Sequence, residues 1–195
     1  MNYQNFIEFV FNLVILNLFK IYMNLTIDIG NTRAKVAVFD NNKLVFNESY
    51  KLITIDTILP IINSFSNISN AIISSVTNQV NDFQEYLNDN FKLITLTPNT
   101  DIPIINKYLT PKTLGLDRIA SVVGANSIFH NNNILIIDAG TCIKYNFINA
   151  NNEFVGGSIS PGIMMRYKAL NQYTDKLPLI NYKQDYSLIG KDTIQ

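Results

Sequence analysis

Two short polar turns carry the residue types best suited to handling phosphate. The first is Asp28-Ile29-Gly30-Asn31-Thr32, set between the apolar residues Leu25, Ile27 and Ile29 and the run Val36 to Phe39. The second is Asp138-Ala139-Gly140-Thr141, which follows Ile134 to Ile137 and precedes the alternating stretch Ile143 to Ile148. In each, a glycine lets the backbone turn where a side chain would clash, and short polar groups and amides stand at the tip. Such a tip suits phosphate oxygens or a hydrated metal ion, and an ordinary hairpin facing water fits either copy taken alone. Between them lies Gly115-Leu116-Asp117-Arg118, whose Asp117 falls in the first turn of a helix and serves equally as a cap. After them comes Gly156 to Gly162, GGSISPG, read as a loop opening a helix, where amides and the helix dipole favour an anion or the glycines merely redirect the chain.

The two turns align as an internal repeat. LTIDIGNTRAKVAVFD and ILIIDAGTCIKYNFIN pair Asp28 with Asp138 and Gly30 with Gly140, with a threonine near each glycine. Two strand-turn-strand units in one chain imply two related lobes across a cleft, with phosphate held between them. The elements around them fit. Lys43 to Tyr50 alternates as a third strand, Thr57 to Phe65 reads as a helix capped near Thr54 to Thr57, and Ala71 to Val76 is a short buried strand. A helix over Asn81 to Asn90 leads to a strand over Lys92 to Leu96. Ile102 to Thr113, with Pro103 and Pro111, reads as an irregular connection before a helix over Leu116 to Phe129. The expected fold class is therefore α/β, with mixed sheets flanked by helices.

Composition narrows the partners. The 195 residues carry 15 basic and 15 acidic side chains, so nothing electrostatic favours nucleic acid or an anionic membrane. A small molecule is the expected partner. The single cysteine, Cys142, can form no internal disulfide, and without a Cys/His cluster there is no zinc site, which makes the cytoplasm the default compartment. Neither GxxxxGK[ST] nor GxGxxG occurs. The apolar stretch Phe6 to Tyr22 lacks the preceding positive charge of a signal peptide, and Glu8, Asn12, Asn17 and Lys20 interrupt it as a membrane span. Residues 1–22 are thus read as an extension, an upstream start or an interfacial helix, with the working domain beginning at Met23.

The ordered motifs DxGNT, GxDR, DxGT and GGxIxPG resemble those of the type III pantothenate kinases, within the superfamily of acetate kinase, sugar kinases, heat-shock chaperones and actin. The resemblance runs from Met23 to the last residue. It implies two ribonuclease-H-like lobes, 23–107 and 108–195, with a nucleotide cleft between them and the second lobe incomplete, since family members continue for several elements beyond GKDT. It implies that Asp28, Ile29, Gly30, Asn31, Thr32, Arg33, Ala34 and Lys35 form the first phosphate loop around ATP and Mg²⁺, with Asp28 acting on the metal through water. Tyr108, Gly115, Leu116, Asp117, Arg118 and Thr193 match pantothenate-contacting positions, with Asp117 as the base for the substrate hydroxyl. Thr141 matches an ATP contact. Asp138 matches the ligand of a monovalent cation, K⁺ or NH₄⁺, and a homodimer with the substrate site at the subunit interface is implied.

The chain departs from the family pattern after the second turn. The family continues there with threonine and aspartate at alternating positions, and here Lys144 and Asn146 stand in those places. Two other functions stay open on the residues: a kinase of the same superfamily acting on another small alcohol or sugar, and a non-catalytic regulatory or assembly relative.

Overall fold

The computed structural model describes residues 23–41, 43–76, 82–182 and 188–194. The readings of residues 1–22 and of the helix start at Asn81 lie outside the described residues. Among those described, no helix is long and apolar enough to cross a membrane.

The first sheet grows from the hairpin expected in the sequence. Strand β1 (Met23–Ile29) pairs antiparallel with β2 (Ala34–Asp40), and β2 pairs antiparallel with β3 (Lys43–Tyr50). The chain then crosses through helix α1 (Ile55–Ser64) to β4 (Ile68–Ser75), which lies parallel to β1, and through α2 (Asp82–Asn90) to β5 (Lys92–Thr95), parallel to β4. The order β3-β2-β1-β4-β5 is that of a ribonuclease-H-like lobe. Helix α1 starts as read: the Thr57 hydroxyl accepts the Thr54 amide at 2.9 Å, satisfying a donor that the first turn leaves unpaired.

Alternation along β1 decides what each face does. Leu25, Ile27 and Ile29 point to a core shared with Ile58, Ile61 and Ile62 of α1 and Phe83 and Leu87 of α2. Asn24, Thr26 and Asp28 take the opposite face. There the amide of Asn70 on β4 donates to Asn24 Oδ1 at 2.9 Å, deep in the protein. Ile72 of β4 shares that face and packs into a second core with helix α3 (Leu116–Ile128).

Helix α3 is enclosed. Nine consecutive residues, Arg118 to Asn126, are buried, which an amphipathic surface helix would not show. Small residues make it possible, because Ala120, Ser121, Gly124 and Ala125 let neighbouring elements approach closely. Its other neighbours come from the second sheet: Ile136, Ile148 and Phe154 complete the same cluster.

The second sheet is ordered β6-β9-β8-β7, from β6 (Ile105–Asn106), β7 (Ile134–Ala139), β8 (Cys142–Ile148) and β9 (Glu153–Pro161). Strands β7, β8 and β9 are joined by short turns and repeat the hairpin meander of β1, β2 and β3. The repeat is not exact. Gly30 to Arg33 separate β1 from β2, whereas only Gly140 and Thr141 separate β7 from β8. Among the described residues β7 has no parallel neighbour corresponding to β4, and Leu135 and Ile137 on it are exposed. The described chain divides into two compact units, one running to Ile136 and including Asn146–Gly156, the other holding Ile137–Tyr145 and the chain from Gly157 onward.

Three elements differ from the sequence reading. GGSISP is strand, not loop: it forms the second half of β9, and helix α4 (Ile163–Gln172) begins only after Gly162. Without side chains to alternate, the glycine pair hid the strand period. Ile105–Asn106, inside the stretch read as irregular, adds a two-residue strand parallel to β9. Pro111–Thr113 forms a turn of 3₁₀ helix ahead of α3, with proline at its first position where no amide partner is needed.

Enlarging a small residue inside α3 tests the enclosure. Ala120 is fully buried, so Ala120→Leu should cost about 2 kcal/mol. The thermal midpoint should fall by about 4–8 °C, read by circular dichroism, and an unchanged midpoint would mean the helix is not held on all sides.

Candidate active site

The first turn ends the strand pair at the heart of the first sheet. Asp28 is half-buried at the end of β1, directly across from Lys35 on β2 and from Ser74 on β4. The Ser74 hydroxyl is buried with no hydrogen-bond partner. The Gly30 amide donates to the Arg33 carbonyl at 3.0 Å, closing the turn, and a Cβ on Gly30 would lie 3.1 Å from that oxygen. Asn31, Thr32 and Arg33 are exposed at the tip. Ile29 and Ala34 point into the core, so of this stretch they offer a ligand only their backbone.

The start of α3 builds a second site around a buried cation. Arg118 is 4% exposed, and its Nε donates to Asn146 Oδ1 at 2.7 Å. Its guanidinium carbon lies 5.3 Å from the Tyr108 ring centroid and 5.9 Å from that of Phe154, and the two rings are near-parallel with centroids 6.0 Å apart. Aromatic faces attract such a cation but cannot accept all its hydrogen bonds. Arg118 Nη2 and Asn146 Nδ2 are both buried without a partner. A buried donor left unmade costs roughly 1–3 kcal/mol, more for a charged group, so this corner favours an acceptor that brings negative charge.

Local backbone fixes the neighbouring groups. Asp117 Oδ1 accepts the Arg118 amide at 2.9 Å, bending the carboxylate over the helix start. Gly115 makes room for it, because a Cβ there would lie 2.5 Å from Asp117 Oδ1. Tyr108 is held by its amide, which donates to Asn106 Oδ1 at 3.0 Å, and the Lys107 amide donates to the Phe154 carbonyl. The Lys107–Glu153 ion pair at 3.4 Å also ties this segment to β9, where the Asn149 amide and then Lys107 hold the Glu153 carboxyl below the usual carboxylate range.

The second turn is tied down from within its own unit. The Gly140 amide donates to the Cys142 carbonyl at 2.9 Å and the Gly162 amide to the Thr141 carbonyl at 3.1 Å. A Cβ on Gly162 would lie 2.3 Å from the Gly140 oxygen and 2.4 Å from that of Thr141, so only glycine lets the start of α4 press on the turn. Thr141 is exposed. Asp138, at the end of β7, accepts the Lys144 ammonium at 2.7 Å, with both side chains about four-fifths buried.

Residues 24–195 match the sequence profile of the type III pantothenate kinases. The chain belongs to that family. It is 44% identical over 172 residues to a type III pantothenate kinase of Phocaeicola vulgatus, covering 88% of this chain and 71% of that one. The type III pantothenate kinase of Flavobacterium johnsoniae is 41% identical over 181 residues, covering 89% and 71%. Among solved structures, a Baf family protein from Campylobacter jejuni is similar in fold, with a TM-score of 0.50, 24% identity, and coverage of 87% of this chain and 69% of that one.

For a type III pantothenate kinase, the structure brings Tyr108, Gly115, Asp117 and Arg118 together at one helix start. Leu116 packs its side chain against the core beneath them. Thr193 is exposed, outside any helix or strand. Sequence reasoning did not single out Phe154 or Ser74 as site residues. Phe154 had a signal, an aromatic residue just ahead of Gly156 in a strand that β6 brings alongside Tyr108; Ser74 had none.

Gly115→Ala separates positioning from folding. The clash falls on the movable end of Asp117 rather than on backbone, so the thermal midpoint should change little. Turnover should fall by about 10²-fold, the penalty expected for a misplaced catalytic group. A variant with normal kcat in a coupled ATP-consumption assay would show that the carboxylate does not need this position.

Proposed function

We propose that the chain transfers the γ-phosphoryl group of ATP to the hydroxyl of pantothenate, giving 4′-phosphopantothenate, the first step towards coenzyme A. The observation that carries this reading is the Arg118–Asn146 corner, where, among the described residues, a buried guanidinium and the asparagine bound to it each keep one buried donor without a partner. Pantothenate has a carboxylate, the class of acceptor that these donors lack. Its gain is large because the donors have already lost water.

One residue earlier on the same helix, Asp117 is the proposed base. Phosphoryl transfer needs little covalent help and late proton removal, so a carboxylate that accepts the substrate proton as the oxygen attacks is sufficient. Tyr108 and Gly115 would wall the substrate, and the resemblance assigns Thr193, which is exposed, a substrate contact and the chain a homodimer. At the first turn the amides of Asn31 to Arg33 and the side chains of Asn31, Thr32, Arg33 and Lys35 would hold the phosphates, and the resemblance also assigns Thr141 to ATP. A lobe boundary near residue 107 belongs to this proposal, and the change of sheet between Thr95 and Ile105 supports it. A cytoplasmic setting, where ATP is at hand, belongs to the proposal as well.

Mg²⁺ fits the residues present. Asp28 with the unpartnered Ser74 hydroxyl beside it offers hard oxygen donors, and Mg²⁺ is commonly held by one or two carboxylates together with water and phosphate oxygens. When bound, it would neutralise charge on the transferring phosphate. Among the described residues no group of three or more His, Cys, Asp or Glu could hold a metal by itself. A monovalent cation at Asp138 does not fit in the same way, since the Lys144 ammonium already sits on that carboxylate.

The test is ATP consumption with pantothenate and Mg²⁺, with the product identified by mass. Asp117→Asn should lower kcat by about 10²–10⁴-fold and leave ATP affinity, measured by calorimetry, unchanged. Near-normal turnover removes Asp117 from its role, and absence of phosphopantothenate from the unaltered chain sinks the reading.

A further inference from the structure

Asp138 and Lys144 flank the turn that the kinase reading assigns to ATP. Asp138 is the next-to-last residue of β7, and Lys144 is the third residue of β8, the two strands being separated by the two-residue turn Gly140–Thr141. Lys144, Asn146 and Ile148 alternate onto one face of β8, and Asn146 and Ile148 are fully buried. The ammonium is therefore delivered by a fixed strand rather than by a loose loop. The turn itself is pinned by the Gly140–Cys142 and Thr141–Gly162 backbone hydrogen bonds. At 2.7 Å from Asp138 Oδ2 the contact is in the range of a charge-assisted hydrogen bond.

We propose that the Lys144 ammonium replaces the monovalent cation at Asp138, so that the second turn is built and holds ATP without K⁺ or NH₄⁺. This rests on the kinase reading of the site. A free monovalent cation would bring one positive charge on a compact centre that seeks oxygen ligands. The lysine ammonium brings the same charge on a compact centre with three donors. It is also tethered, so it competes for the carboxylate without the entropy loss of a free ion. A second cation placed against the same carboxylate would meet the ammonium at close range and be repelled. The residue that departs from the family pattern thus carries the charge that the resemblance would otherwise place on an ion.

The full chain and its Lys144→Thr variant decide the matter. Thallium(I) serves as a probe for K⁺, observed by ²⁰⁵Tl NMR without nucleotide. ATP affinity is measured separately by calorimetry in potassium chloride and in choline chloride at equal ionic strength. The unaltered chain should show no bound thallium and the same ATP affinity in both salts. Lys144→Thr should bind thallium and should bind ATP about tenfold more tightly in potassium than in choline. Thallium binding by the unaltered chain, or an ATP affinity that rises with potassium, overturns the proposal. So does a folded Lys144→Thr variant that is indifferent to potassium. Because the unaltered chain supplies the first arm, a variant that fails to fold does not shield the idea. A chain that binds no ATP in either salt defeats the kinase reading instead, an outcome distinct from thallium binding at Asp138.

Discussion

A helix withdrawn from water along nine consecutive residues would ordinarily be apolar there, yet α3 carries a charged residue, Arg118, at the head of its buried run. Arg118 lies in the enclosed run, beside the rings of Tyr108 and Phe154 and anchored to Asn146. Burying a guanidinium without a carboxylate is unfavourable, and nothing in the apolar core beneath requires it. The surrounding elements nevertheless converge on this residue: the two-residue strand β6 runs beside β9 and leads to Tyr108, β9 supplies Phe154, and β8 supplies Asn146. The core holds α3 in place, and α3 in turn fixes Asp117 and Arg118.

Close backbone contact replaces side-chain packing at both ends of the chemistry. At Gly115 the missing Cβ gives space to a carboxylate, and at Gly162 it lets one backbone press on another. These are different demands on the same residue type. The first tolerates substitution in folding terms and penalises geometry, whereas the second sets carbonyl oxygens where any side chain would collide. Neither depends on a positive backbone angle. Gly156, with φ at 138°, is the glycine whose conformation itself excludes most residues.

Much of the fold was legible because its strands are short and either alternate, as β1 and β3 do, or carry a continuous apolar run, as β2, β4 and β7 do. Leu25, Ile27 and Ile29 announce β1, the hairpin follows from Gly30, and the recurrence at Asp138 announces the second meander. The elements missed were those whose signal is not carried by apolar side chains. GGSISP extends β9 through glycine and serine, and β6 is too short to show a period. The turns and the GLDR segment were visible as motifs, yet motif reading could not show that Arg118 is buried. Arginine is seldom inside, so its type argued for the surface, and only the enclosure by Tyr108, Phe154 and Asn146 reverses that. Lys144 was visible as a departure, and its ion pair needed coordinates, because alternation alone does not say which carboxylate an ammonium reaches.

The unpartnered donors around Arg118 also bear on how long the protein survives. A molecule that supplies the missing acceptor binds the folded chain and not the unfolded one, and so shifts the folding equilibrium by mass action. The interior is then finished by a metabolite instead of by the polypeptide. Where quality control removes transiently opened chains, supply of such a ligand would raise how much of the protein a cell retains.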